Sequence, residues 1–544
     1  MTSGPLIVQS DKTALLEVDH PAAVDARHDL AIFAELERAP EHIHTYRITR
    51  LGLWNARAAG HDSDFVLGVL DKYAKFAVPS AVRSDIAETM NRYGRLSIRR
   101  SVNGELELFS TDRAVLLEAS KQRKIAELLD GPISNEAFRI QPWARGQVKQ
   151  ELLKLGWPAE DFAGYTAGTP HPIALEQADW KIRDYQSKAV DKFWDGGSGV
   201  VVLPCGAGKT IVGAAAMSVA KTNTLILVTN TVSARQWKSE LLKRTTLTEE
   251  EIGEYSGSMK EVKPVTIATY QILTTKRKNE YAHLDLLNAK DWGLIVYDEV
   301  HLLPAPIFKM TADLQARRRL GLTATLVRED GKEGDVFSLI GPKRFDAPWK
   351  EIEAQGYIAP AACFEVRIDL PEEERLAYAV ANQEDRYRIA ATSPTRIPVI
   401  KKLLSKHAGE PTLIIGQYLD QIHEVSAALG VPEITGETPV DEREKLFQQF
   451  RTGDLNTLVV SKVANFSVDL PEASVAIQIS GSYGSRQEEA QRLGRLLRPK
   501  ADGRAATFYT LISRDTVDQD FAQNRQRFLA EQGYSYEIMD AHEL

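Results

Sequence analysis

The sequence predicts an α/β fold in which two tandem parallel-sheet domains are preceded by small mixed α/β N-terminal units. Continuous Val/Ile/Leu-rich segments, Val200 to Leu203, Thr224 to Thr229, Val265 to Thr269 and Leu294 to Tyr297, alternate with helical stretches. That alternation is the mark of parallel strands covered by helices on both faces. The same rhythm restarts after about residue 395, with Thr412 to Ile415, Thr457 to Val460, Val475 to Ile479 and Ala506 to Leu511, which predicts a second such domain. A glycine-rich turn directly follows the first of these strands and leads into helical sequence.

The N-terminal part reads differently. Leu6-Ile7-Val8 and Thr13 to Val18 are short strands, and Leu30, Ile32, Phe33 and Leu36 stand at helical spacing, which predicts a helix there. Two alternating segments, Arg95 to Arg100 and Glu105 to Ser110, are joined through Asn103-Gly104, a strong hairpin turn signal. Between Leu370 and Thr392, Glu372, Glu373, Glu374, Arg375, Arg386 and Arg388 give a charged helical pattern.

Composition bounds the function. The chain has 544 residues with 43% hydrophobic and 26% charged side chains, an ordinary globular balance spread over three or four domains. The longest apolar runs fall far short of the roughly 20 residues a bilayer span requires, so no membrane segment is expected. Nothing near the N-terminus has the basic start and long apolar core of a secretory signal, which predicts a cytoplasmic protein. Only Cys205 and Cys363 occur, too few for a disulfide framework or a cysteine zinc site. The net charge of -8 excludes a uniformly basic surface but leaves room for a local basic groove facing a phosphate backbone.

The glycine-rich turn is Pro204-Cys205-Gly206-Ala207-Gly208-Lys209-Thr210, between strand Val200 to Leu203 and a helix from Ile211. Gly206 and Gly208 let backbone amides curl around phosphate oxygens, Lys209 reaches the terminal phosphates, and Thr210 at the helix start can ligate Mg2+. ATP and Mg2+ are the expected cofactors. About 90 residues on, strand Leu294 to Tyr297 delivers Asp298-Glu299-Val300-His301 at its C-terminal edge, where ligands sit in open α/β sheets. Asp298 is the candidate metal ligand and Glu299 the candidate for polarising water, while His301 would couple nucleotide state to neighbouring segments. An acidic pair alone is more often a solvated strand end; its place after a phosphate loop makes it specific.

In the second sheet domain, Gln491 to Arg498 puts Arg495 and Arg498 three residues apart on one helical face. A basic run of this kind is commonly a solvated face. The Gln-x-x-Gly-Arg-x-x-Arg spacing favours a pair of arginine fingers that meet the γ-phosphate when the two domains close.

With these motifs in place the sequence resembles the superfamily two helicases, and more narrowly the XPB family of DNA helicases in its bacterial form. Four stretches carry the resemblance: Leu203 to Thr210, Asp298 to His301, Leu320 to Asp330, and Gln491 to Arg498. The resemblance implies two RecA-like motor domains, at 166–360 and 361–544, with a short thumb-like insertion near 370–392. It also implies an N-terminal module over 1–75 and a damage-recognition-like domain over 76–165. Arg183 and Gln186 would sit on the adenine side, and Gln491 would join the ATP site. Thr323 and Thr325 match the motif that couples hydrolysis to DNA movement, and Arg328, Glu329 and Asp330 match the family's Arg-Glu-Asp element. Ser461 to Pro471 resembles the segment that touches nucleotide and DNA together. The implied partners are double-stranded or forked DNA, with a nuclease or repair proteins beside it, on a monomer near the nucleoid.

Three other readings share these motifs. An ATP-switched clamp would open DNA for a partner nuclease with little processive unwinding. The ATPase of a restriction-type nuclease would need a carboxylate cluster within residues 1 to 180, and none is convincing. An RNA helicase of the same superfamily would carry a different acidic box, ending Ala-Asp, with Ser-Ala-Thr in place of Thr323-Ala324-Thr325.

Overall fold

The computed structural model describes residues 4–39, 42–204, 206–277, 280–324, 332–347, 352, 361–461, 473–481, 506–522 and 536–544. Four sheets of four or more strands organise them. The first is antiparallel, with strands Leu6–Val8, Thr13–Glu17, Ile43–Ile48 and Ala34–Arg38 side by side. Helices Ala23–Leu30, Arg50–Ala58, Ser63–Tyr73 and Ser80–Arg92 accompany it. The buried core of this unit runs from Leu6 through Val78, Val82, Ile86 and Met90. The helix Ser80–Arg92 therefore belongs to the first unit, beyond the boundary expected at residue 75.

The helical reading of Leu30 to Leu36 is corrected by the structure. The helix ends at Leu30, Phe33 N–H closes a turn on Leu30 O at 3.1 Å, and Ala34–Arg38 is a strand paired with Ile43–Ile48. Four apolar residues in seven positions satisfy either period, and here pairing with a neighbouring strand decides. The hairpin reading holds. Leu96–Arg100 and Leu106–Phe109 pair antiparallel with Ser97 opposite Phe109, and Gly104 in the turn has φ +82°.

That hairpin lies in a five-stranded sheet with Leu129–Ser134, Ala137–Ile140 and Ala159–Asp161. This second unit is bolted to the first of the two parallel-sheet domains, the expected first motor. Arg145, on helix Arg145–Leu155, makes two bonds to Asp161 at 3.0 and 2.8 Å. Lys149 donates to Asp161 at 2.8 Å and also to Gln315 of the motor. Burial pulls the Lys149 ammonium down to about 8, against the opposing pull of Asp161.

The first motor is a seven-stranded parallel sheet ordered Ile252–Tyr255, Val265–Thr269, Thr224–Val228, Leu294–Asp298, Arg318–Thr323, Gly199–Val202, Lys343–Asp346. The second is likewise parallel and seven-stranded, ordered Glu433–Ile434, Thr457–Ser461, Thr412–Gly416, Val475–Gln478, Ala506–Ser513, Ala361–Ile368, Tyr536–Asp540. Strands of the first motor such as Thr224–Val228 are buried at every position, as continuous apolar runs require. Two helices, Glu372–Val380 and Gln383–Thr392, occupy the predicted insertion. Two of its arginines are engaged within the chain: Arg388 pairs with Asp420 at 2.5 Å, and Arg386 donates to the carbonyls of Tyr378 and Ala379. Among the described residues no helix is long and apolar enough to cross a membrane.

Candidate functional site: a nucleotide cradle at the edge of the first motor sheet

Strand Gly199–Val202 runs between Arg318–Thr323 and Lys343–Asp346, so the turn after it opens at the C-terminal edge of the sheet. Leu203 N–H continues the ladder onto Thr323 O at 2.9 Å. Ala207 N–H then closes a turn on Pro204 O at 3.2 Å, and Gly206 and Gly208 both take φ +81°. Left-handed backbone of this kind strains any side chain, which is why glycine stands there. Helix Lys209–Ala220 begins directly after Gly208, with Thr210 in its first turn. The N-terminal end of a helix, with its N–H groups and dipole, makes such a turn a ready anion site.

The floor of the loop comes from helix Asp184–Gly196. Tyr185 Oη and Gln186 Nε2 both donate to Ala207 O, at 2.7 and 2.9 Å. Gln186 Oε1 accepts the Arg183 N–H at 3.0 Å, and Arg183 Nη1 donates to Tyr185 Oη at 3.0 Å. A Cβ at position 208 would meet Gln186 Nε2 at 2.4 Å, so the loop is shaped by this glutamine as well as by its own glycines.

Strand Leu294–Asp298 ends two places along the sheet and brings the acidic pair to the same edge. Lys209 Nζ lies 2.9 Å from Glu299 Oε1. Glu299 adopts φ +49°, ψ 55°, uncommon for a residue with a side chain. Asp298 is part-buried, and loss of solvent together with the adjacent Glu299 charge raises its carboxyl to about 6. Burial pushes Glu299 up too, but the Lys209 and His301 charges outweigh it and hold that carboxyl below the ordinary range. Two carboxylates this close, sharing one lysine, are poised for a cation and an anion to enter together. His301 Nδ1 is 2.7 Å from Thr323 Oγ1 and 3.6 Å from Glu299 Oε2, which joins the acidic pair to the end of strand Arg318–Thr323.

The structure thus brings Arg183, Gln186, Pro204, Gly206, Ala207, Gly208, Lys209, Thr210, Asp298, Glu299, His301 and Thr323 to one sheet edge. Cys205, Thr325, Arg328, Glu329, Asp330, Gln491, Arg495 and Arg498 lie outside the described residues, as does nearly all of the Ser461 to Pro471 segment. Sequence reasoning missed Trp237 and Tyr270. Trp237 Nε1 donates to Asp298 Oδ2 at 2.9 Å, and Tyr270 Oη donates to Asp298 O at 2.7 Å. A single buried aromatic carries no sequence signal that separates a side chain with a polar task from one that only fills the core.

Known proteins were compared with the chain as a whole. Residues 352–543 match the model of the ERCC3/RAD25/XPB C-terminal helicase. The chain is 67% identical over 544 residues to a DNA 3'-5' helicase XPB of Kineococcus radiotolerans, covering 100% of this chain and 98% of the relative. The chain belongs to the XPB helicase family. A second DNA 3'-5' helicase XPB, from Mycobacterium tuberculosis, is 63% identical over 100% of this chain and 99% of its own length. The helicase/translocase subunit XPB/SSL2 of general transcription and DNA repair factor IIH from Saccharomyces cerevisiae is 32% identical, over 99% of this chain and 72% of that protein. Two further models match: the type III restriction enzyme res subunit over 179–328, and a helicase conserved C-terminal domain over 6–132. The first lies on the phosphate-loop motor of this XPB-family chain, and the second on its N-terminal units.

Proposed function

We propose that this XPB-family chain is an ATP-dependent 3'-5' DNA helicase whose ATP site is the edge formed by Lys209, Thr210, Asp298 and Glu299. The observation that carries the site is the Lys209 to Glu299 ion pair at 2.9 Å across the mouth of a glycine loop. Each partner neutralises the other until phosphate enters; the γ-phosphate then takes Lys209, and Glu299 is released to orient water. The Thr210 hydroxyl and the part-buried Asp298 carboxylate are hard oxygen donors that would hold Mg2+, and the ion would supply positive charge against the phosphates. Gln186 and Tyr185 hold the loop carbonyl of Ala207 so that its amides stay turned inward.

His301 and Thr323 carry the state of that edge to the segment beyond residue 324. There Thr325, Arg328, Glu329 and Asp330 serve movement on DNA, and Arg495 and Arg498 close on the γ-phosphate from the second motor with Gln491 beside them. Replacing Arg328, Glu329 and Asp330 together by alanine then leaves DNA-stimulated ATPase largely intact while strand separation falls sharply. Family membership supports DNA as the track and disfavours the clamp reading. The relative in the general transcription and DNA repair factor supports a role in opening DNA for repair beside other proteins. ATPase measured with duplex DNA, single-stranded DNA and RNA tests the proposal: DNA stimulates turnover and RNA does not. Stimulation by RNA alone would overturn it.

A further inference from the structure

Asp298 is gripped from outside every motif so far described. Helix Thr231–Arg244 opens on Asn230, whose side-chain oxygen accepts the Ser233 N–H at 2.9 Å, and its second turn carries Trp237. Trp237 is 2% exposed, and its ring presses on Gly213 of the phosphate-loop helix: a Cβ there would sit 2.4 Å from the ring Cη2. A ring wedged in this way cannot swing to follow a moving carboxylate. Its N–H instead fixes Oδ2 of Asp298 at 2.9 Å, while Oδ1 accepts the Glu299 N–H at 3.1 Å. Helix Tyr270–Thr274 supplies the other grip. Tyr270 Oη donates at 2.7 Å to the Asp298 carbonyl, the oxygen of the peptide that leads into left-handed Glu299. A residue in that conformation persists only where its surroundings hold it.

We propose that Trp237 and Tyr270 are positioning residues with separate tasks: Trp237 orients the Asp298 carboxylate for the metal ion, and Tyr270 sets the peptide that aims Glu299 at water. The division follows from which atom each one holds. It rests on the reading of Asp298 as a metal ligand. Partners that orient a ligand in this way commonly contribute about 10–100-fold to metal affinity or activity.

The test uses full-length protein and a fluorescent, non-hydrolysable ATP analogue, bound with Mg2+ and with EDTA. The ratio of the two affinities measures what the metal adds without any turnover. Asp298→Asn is the reference and loses that enhancement. Trp237→Phe lowers it about tenfold, while kcat at saturating Mg2+ falls far less. Tyr270→Phe keeps it and lowers kcat about tenfold. Because Trp237→Phe also removes volume, β-(3-benzothienyl)alanine placed at 237, which keeps the shape and lacks the N–H, gives the same loss if the hydrogen bond is the cause. Melting without nucleotide shows that each variant is folded. Wild-type enhancement in both position-237 variants would overturn the task given to Trp237. Parallel loss of enhancement and kcat in all variants, tracking melting temperature, would reduce both residues to packing. Retained enhancement in Asp298→Asn would instead overturn the metal reading of the site itself.

Discussion

The two motor sheets share strand number and parallel sense, and each locks a buried arginine onto backbone carbonyls, Arg319 in the first and Arg396 in the second, yet the acidic pair at the edge of the first is held differently. In the second, Arg396 is 1% exposed and donates to the carbonyls of Ile479, Leu511 and Ala390, to Ser513 Oγ, and to Asp518 at 2.6 Å. The charges there are held by backbone and by each other. In the first, Asp298 and Glu299 stand side by side, one carboxyl raised and the other lowered, with Lys209 as their counter-ion. A buried ion pair is weak evidence for function until the number of oxygens around it has been compared with the charge they must carry.

Breaking the locked pair has the largest expected effect. Arg396→Ala leaves Asp518 buried without its cation and costs about 3–5 kcal/mol of stability, read by thermal or denaturant unfolding. If unfolding were unchanged, the contrast between the sheets would fail. Lys209→Ala acts on turnover instead. ATPase falls about 10²–10³-fold, the loss typical when one preorganised positive donor is removed. Normal DNA-stimulated turnover in this variant would remove the phosphate loop from the account.

A smaller effect separates the two sheets by pH. Asp298 is raised to about 6 from an ordinary 3.8, so the folded chain binds that proton more tightly than the unfolded one. The stabilisation from this group is complete below about pH 4 and is lost as pH rises through 6. The stability of Asp298→Asn relative to wild type, without nucleotide, therefore rises by about 1–3 kcal/mol between pH 4 and pH 8, whatever constant cost the lost acceptor adds. A difference independent of pH over that range would show that Asp298 is not strained by burial. The smallest effect comes from the cap of the helix that carries Trp237. Asn230→Ala costs about 1 kcal/mol of stability by freeing the Ser233 N–H.

The sequence made the first motor legible because its strands are continuous apolar runs and its chemistry sits at their ends. Strand Val265–Thr269 lies where its composition put it, and the loop and the acidic pair both end at one sheet edge, where Lys209 Nζ lies 2.9 Å from Glu299 Oε1, a contact no spacing foretold. What escaped was chemistry done by side chains that look like core. Trp237 packs as any buried tryptophan does, and only its one N–H, aimed at Asp298, gives it a task. Gln186 was read from resemblance, whereas its bond to Ala207 O depends on how helix Asp184–Gly196 crosses the loop. The N-terminal unit was read less well, since Leu30 to Leu36 suits two periods and helix Ser80–Arg92 shows its allegiance only through the core it joins.

The central claim is that ATP spent at this edge drives the chain along DNA with one polarity. Strand displacement on a short duplex with a 3' tail, set against the same duplex with a 5' tail, tests it most directly. ATP-dependent displacement is expected on the 3'-tailed duplex alone, abolished by Lys209→Ala and by Glu299→Gln. Equal displacement from both tails, or displacement that survives in either variant, would contradict it.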